Sequence, residues 1–234
     1  MRVSLRKRMA ALFLSLVVLP NIAAATCSYN SELFGKSIGI VGDSFFATDK
    51  KGLGSLQNIM GLHFHSSAVQ NAAIGGATVL GFGKEAIVNQ RLTKPLDILI
   101  LGGGGNDFGK CGTDKNCMAG KIDDFVSPDF KSGAFPKIID KYAAENTISV
   151  ILYTSIVGNH APKKWKYMVQ SGLAEAFSNR MSSFAETKQN VIWFDAATAL
   201  DPAIKSHWLK DGFHPSSYGY KLISEKLFLQ LCEQ

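Results

Sequence analysis

Ser44 stands in the tripeptide Gly42-Asp43-Ser44, directly after the apolar run of residues 37–41 (SIGIV). A serine held where a buried strand ends is placed for nucleophilic attack, and Gly42 allows the tight exit. Attack on an acyl carbon also needs a base for the hydroxyl proton and donors for the oxyanion. The stretch Asp211-Gly212-Phe213-His214-Pro215 offers the base. A separation of three can bring both side chains to one side of a turn. The Asp211 carboxylate would then accept from one ring nitrogen while the other nitrogen faces a hydroxyl. Asn106, behind four glycines (102–105), offers a side-chain amide donor, and Gly75-Gly76 after Asn71 offers a backbone N–H. Each piece also has an ordinary structural reading. Gly-Asp-Ser is common turn chemistry, and Asp211 could cap the final helix with His214 merely in a loop. Asn106 could simply tolerate left-handed backbone, and a glycine pair usually marks only a turn.

The apolar runs explain how distant residues could meet. Residues 37–41, 96–101 (LDILIL), 148–154 (ISVILYT) and 191–194 (VIWF) are near-continuous apolar segments that end in Gly, Asp or Ser. Such segments suit strands of a parallel sheet buried on both faces, with a weaker strand expected around 67–70. Helical patterning is expected over 54–62, 83–92, 135–145, 166–188 and 218–231. Alternation of the two types predicts an α/β fold, a three-layer α/β/α sandwich around a mostly parallel, doubly wound sheet. Ligands bind such sheets beyond the carboxyl ends of the strands, where Ser44 and Asn106 fall.

These elements, in this order, resemble the SGNH (GDSL-like lipase/esterase) hydrolase superfamily. Gly42-Asp43-Ser44 is similar to its first block, which implies Ser44 as nucleophile and first oxyanion donor. Asn71-x-x-x-Gly75-Gly76-x-Thr78 looks like the second block, with Gly76 as backbone donor. Gly104-x-Asn106-Asp107 resembles the third, with Asn106 as side-chain donor, and Asp211-x-x-His214-Pro215 the last, giving acid and base. The resemblance spans residues 38–220 and implies a serine hydrolase acting on carboxylic esters without metal or organic cofactor. It suggests an acyl lipid or an O-acetylated carbohydrate as substrate. Phe45 stands where the family usually has leucine, and Ala73 and Gly75 stand where glycine and serine are common, which weakens assignment to a subfamily. An acyltransferase with the same chemistry, or a non-catalytic carbohydrate-binding or assembly protein on the same fold, remains an alternative.

The 234-residue chain opens with Arg2, Arg6, Lys7 and Arg8, an apolar run over 9–19 and Ala23-Ala24-Ala25. This pattern predicts a signal peptide over 1–25 and one domain over 26–234, hence export to the periplasm or extracellular space. The apolar run is shorter than the ~20 residues of a spanning helix, so no stable membrane insertion is expected. Thr26 before Cys27 is larger than lipoprotein processing usually accepts. The opening holds four of the 25 basic residues and no acid, leaving 21 against 19. That balance gives no reason to expect nucleic acid as a partner. The expected partner is a small-molecule or glycan ester, and the oligomeric state is undetermined.

Four cysteines in an oxidising compartment predict disulfides, of three possible connectivities. The pairing adopted is Cys111–Cys117, a short loop on the pocket rim, with Cys27–Cys232 tying the termini. Gly81-x-Gly83-x-x-Ala86 imitates a dinucleotide fingerprint, but no acidic residue closes a following strand at the required distance. His63-Phe64-His65 lacks a third metal ligand. Lys163-Lys164-Trp165-Lys166-Tyr167 either lines a pocket for a sugar or anionic group or forms a solvated helix start. Asp195 ends a strand in a similar position, but the sequence nominates no partner for it in the chemistry, and it reads as structural.

Overall fold

A computed structural model describes residues 35–47, 56–66, 68–93, 95–145, 149–154, 158–159 and 161–232. The signal peptide expected over 1–25 lies outside them, as does Cys27 of the expected Cys27–Cys232 pair. Among the described residues no helix is long and apolar enough to cross a membrane.

Five strands form one parallel sheet: β1 (Ile38–Val41), β2 (Val69–Asn71), β3 (Ile98–Gly102), β4 (Ser149–Thr154) and β5 (Val191–Asp195). Their order is β2-β1-β3-β4-β5, so the chain winds one way from β1 to β2 and the other way from β3 onward. The expected α/β fold is therefore present, as a doubly wound sheet with the β1/β3 boundary as its switch point. Alternation along the strands assigns the layers. Ile38 and Ile40 of β1 and Ile98 and Ile100 of β3 bury on one side. There they meet Ile59 and Met60 of α2 (Leu56–His63) and Tyr220, Ile223 and Leu227 of α8 (Ser217–Cys232). Val41, Leu99 and Leu101 face the other side. Their partners are Met118, Ile122 and Phe125 of α4 (Lys115–Phe125), Phe135 and Ile138 of α5 (Ala134–Glu145), and Phe177 and Phe184 of α7 (Leu173–Glu186).

Three expectations need correction. Residues 83–92 form no helix; they make two single 3₁₀ turns, Gly83–Glu85 and Ile87–Asn89. The backbone there is committed elsewhere: the Thr78 amide donates to Glu85 O and the Ile87 amide to Thr78 O. The single helix expected over 166–188 is two, α6 (Lys163–Gln170) and α7, because Gly172 takes a left-handed φ of 75° between them. Cys117 lies on α4 rather than in a loop, and the Cys111–Cys117 disulfide ties the start of that helix to the preceding turn. Two short helices follow strands directly, α1 (Ser44–Ala47) after β1 and α3 (Gly105–Gly109) after β3.

Candidate active site

The switch point brings the ends of β1 and β3 side by side, since Val41 pairs with Leu101. The chain leaves β1 through Gly42, where space forbids any side chain. A Cβ there would lie 2.4 Å from Phe46 Cδ2 and 2.6 Å from Gly102 O. Gln90, itself buried, clamps this turn: its Oε1 accepts from the Gly42 amide at 2.7 Å and its Nε2 donates to Gly42 O at 2.6 Å. Asp43 O accepts from the Phe46 and Ala47 amides, and Asp43 Oδ1 accepts from the Phe45 amide at 2.9 Å. Phe45 and Phe46 anchor α1 in the core, and the Tyr220 hydroxyl donates to Phe45 O. Ser44 thus begins a helix held on three sides.

The loop between β5 and α8 supplies the partners. It doubles back over Leu209–His214: the Leu209 amide donates to His214 O at 2.8 Å and the Gly212 amide to Leu209 O at 2.9 Å. Gly212 takes the left-handed φ of 65° that this turn requires. Asp211 Oδ1 accepts from the amides of Phe213 (2.8 Å) and His214 (3.0 Å), leaving Oδ2 for the ring. His214 Nδ1 lies 2.6 Å from Asp211 Oδ2, and Nε2 lies 2.9 Å from Ser44 Oγ. A carboxylate facing Nδ1 keeps the proton there, so Nδ1–H donates to Asp211 and Nε2 is free to accept from the serine hydroxyl. Partial burial opposes ionisation of Asp211, but hydrogen bonds from the His214 ring and the two amides outweigh it and hold the carboxyl below the usual range.

The remaining sequence-predicted residues lie on α3 and the loop after β2. Asn106 Nδ2 donates to Ala77 O at 2.9 Å, which brings Asn106 beside Gly76. Gly76 is exposed at a left-handed φ of 79°, and its amide donates to no described residue. Asn71 is a brace: its Nδ2 donates to Phe46 O at 2.9 Å and its Oδ1 accepts from the Ala73 amide. The first turn of α3 runs between the two halves of the site. A Cβ on Gly105 would lie 3.6 Å from Phe213 Cζ and 3.8 Å from Asp43 Oδ2. Phe108 fastens α3 from below, its ring T-shaped against Phe125 at 5.2 Å and Phe177 at 5.4 Å.

Two buried carboxylates extend the site beyond what the sequence singled out. Burial raises the Asp43 carboxyl to about 6, against the opposing pull of the Phe45 amide and His214. Burial also raises Asp107, which fixes the loop around Gly76 by accepting from the amides of Val79 (2.8 Å) and Leu80 (3.1 Å). Both were visible as motif neighbours of Ser44 and Asn106; their burial was not. Gln90 had no signal at all, lying inside a stretch that patterns as a helix. Asp195 Oδ1 caps the Ala197 amide at 2.9 Å, a structural role. Among the described residues no cluster of His, Cys, Asp and Glu could hold a metal ion.

Known proteins place this arrangement in context. Solved structures share the fold at low identity. A Lactobacillus plantarum protein is 17% identical with a TM-score of 0.61, covering 86% of this chain and 98% of its own. A G-D-S-L family protein from Desulfitobacterium hafniense DCB-2 is 18% identical with a TM-score of 0.60, covering 83% and 98%. A member of the lipolytic protein G-D-S-L family from Veillonella parvula DSM 2008 is 16% identical with a TM-score of 0.56, covering 82% and 96%. No curated protein matches the chain by sequence. The GDSL-like Lipase/Acylhydrolase family matches residues 40–222, from the strand before Ser44 to the helix after His214, and the chain belongs to that family.

Proposed function

We propose that this chain is an exported serine esterase that hydrolyses carboxylic esters through an acyl-Ser44 intermediate. The observation that supports it most is the pair of contacts on one imidazole, 2.9 Å to Ser44 Oγ across 170 residues of sequence and 2.6 Å to Asp211 Oδ2. In this reading His214 Nε2 takes the Ser44 proton as Oγ bonds to the ester carbonyl carbon, and Asp211 stabilises the imidazolium. The carbonyl oxygen gathers negative charge and is met by the amides of Ser44 and Gly76 and by Asn106 Nδ2. Collapse breaks the bond to the alcohol oxygen, which takes the proton from His214. Water then attacks the acyl-serine with the same base, and the acid leaves. An acyl lipid or an O-acetylated carbohydrate fits this chemistry, and the amino-terminal pattern supports export.

The test is release of p-nitrophenol from acetyl and longer acyl esters by wild type, Ser44→Ala, His214→Ala and Asn106→Ala. Ser44→Ala should lose turnover by about 10⁴-fold or more, and the double variant with His214→Ala should be little worse, because the pair acts as a unit. Asn106→Ala should cost kcat roughly 10²–10³-fold. Wild-type turnover in a folded Ser44→Ala protein would sink the proposal. Products formed in the presence of a sugar acceptor distinguish hydrolysis from transfer.

A further inference from the structure

Trp165 is the largest side chain at the site that the chemistry above does not use. It is the third residue of α6, whose amide donates to Pro162 O at 3.0 Å in the opening turn. Two of its neighbours, Tyr167 and Met168, pack against the core under α7, so the helix is seated without Trp165. Trp165 instead reaches across to α3. A Cβ on Gly109 would lie 2.7 Å from Trp165 Cη2, so the indole edge rests directly on the α3 backbone. Its ring stacks on Phe213, with centroids 4.6 Å apart and planes 22° from parallel. Phe213 in turn meets the His214 ring edge-on, at 4.9 Å and 81°. The indole therefore fills the space between the helix bearing Asn106 and the loop bearing Asp211 and His214.

We infer that Trp165 is a positioning residue: stacked on Phe213 and seated on Gly109, it fixes the His214 ring and its spacing from Asn106. Asp211 alone leaves the imidazole free to swing about the Nδ1–carboxylate contact, because one hydrogen bond defines a direction more tightly than a plane. The perpendicular Phe213 ring restricts that swing, and Trp165 holds Phe213 from behind. Small displacements of a base are costly, since a shift near 1 Å can lose on the order of a hundredfold in rate. The glycines at 105 and 109 are the counterpart on α3, leaving the backbone bare where the two rings approach. This inference rests on the serine-esterase reading.

The experiment compares Trp165→Ala, Trp165→Leu, Trp165→Phe, Phe213→Ala and the Trp165→Ala/Phe213→Ala double variant with wild type and Ser44→Ala. The substrates are p-nitrophenyl acetate and aryl acetates with alcohol portions of different size. A fluorophosphonate probe reports the labelling rate of Ser44 independently of any alcohol group. Trp165→Ala should lower kcat roughly ten- to a hundredfold with KM nearly unchanged. The loss should be the same for every alcohol and should appear equally in the labelling rate. Trp165→Phe, which keeps a stacking plane, should restore most of it. The double variant should be no worse than either single change, the sign of one shared pathway. Trp165→Leu keeps apolar bulk without a plane and serves if the alanine variant does not fold; it should lose kcat likewise. Unchanged kcat and labelling in folded variants would overturn the inference, as would a loss confined to KM and growing with alcohol size. Turnover surviving in Ser44→Ala would instead overturn the esterase reading.

Discussion

Asp43 precedes Ser44 and is only 4% exposed, yet no salt bridge among the described residues reaches its carboxyl. Its carboxyl is pushed up to about 6 chiefly by burial, so the folded protein binds this proton more tightly than the unfolded chain does. The stabilising contribution is therefore complete below the ordinary carboxylate value near 4, and it is lost as pH rises through about 6. Asp43→Asn keeps an acceptor for the Phe45 amide and removes the charge. At pH 7.5 the variant should be more stable than wild type by on the order of 2–3 kcal/mol, and the gain should vanish near pH 4. Urea unfolding at both pH values measures it; a difference independent of pH would refute the assignment. A buried charge beside the proposed nucleophile that costs stability is the pattern expected of a site where stability and function conflict.

The turn between β1 and α1 is where element geometry governs reactivity. Gln90 satisfies both the N–H and the C=O of Gly42 from a segment that is distant in sequence, and the Tyr142 hydroxyl donates to Gln90 O at 2.7 Å. Gln90→Ala leaves the Gly42 amide buried without its acceptor, whereas Gly42 O keeps the Ile74 amide at 3.1 Å. The expected cost is about 2–3 kcal/mol of stability for the lost pair and the orphaned donor. The Ser44 helix should shift with it, so kcat should fall while the Asn106 side of the site is untouched. Thermal unfolding together with p-nitrophenyl ester kinetics tests both halves. Loss of stability without loss of kcat would make Gln90 a scaffold residue only. The same segment shows why helical patterning failed over 83–92: apolar spacing reports a face, while the backbone and Gln90 were bound to β1 and Thr78.

Across the whole molecule, the strand order gathers the candidate site at the carboxyl ends of the interior strands β1 and β3. Chain reversal between β1 and β3 leaves a crevice with Ser44 on one lip and Asn106 on the other, and the loop before α8 closes it with His214. The Cys111–Cys117 bond joins the turn after α3 to α4 across a separation of six residues. So short a loop removes little chain entropy, and the double change Cys111→Ser/Cys117→Ser should cost about 2 kcal/mol. Wild type in reducing buffer should converge on the variant in a urea titration. No difference between oxidised and reduced wild type would mean that the bond does not contribute in solution.

Much of this was legible in the residue order, because strands of a parallel sheet are continuous apolar runs and their ends are marked by glycine and acid. The runs over 37–41, 96–101 and 191–194 reappear as β1, β3 and β5 within two residues. Local turn chemistry likewise announced the Gly42-Asp43-Ser44 exit and the Asp211–His214 pair, since neighbours three apart interact whatever the rest of the chain does. Long-range placement was not legible. Gln90 against Gly42, Trp165 on Gly109 and Phe213, and the burial of Asp43 join residues whose separation leaves no periodic trace. Local pattern reports which face of an element is apolar. Which partner that face meets, and at what distance a base stands from a nucleophile, is settled only when the layers close-pack around the sheet.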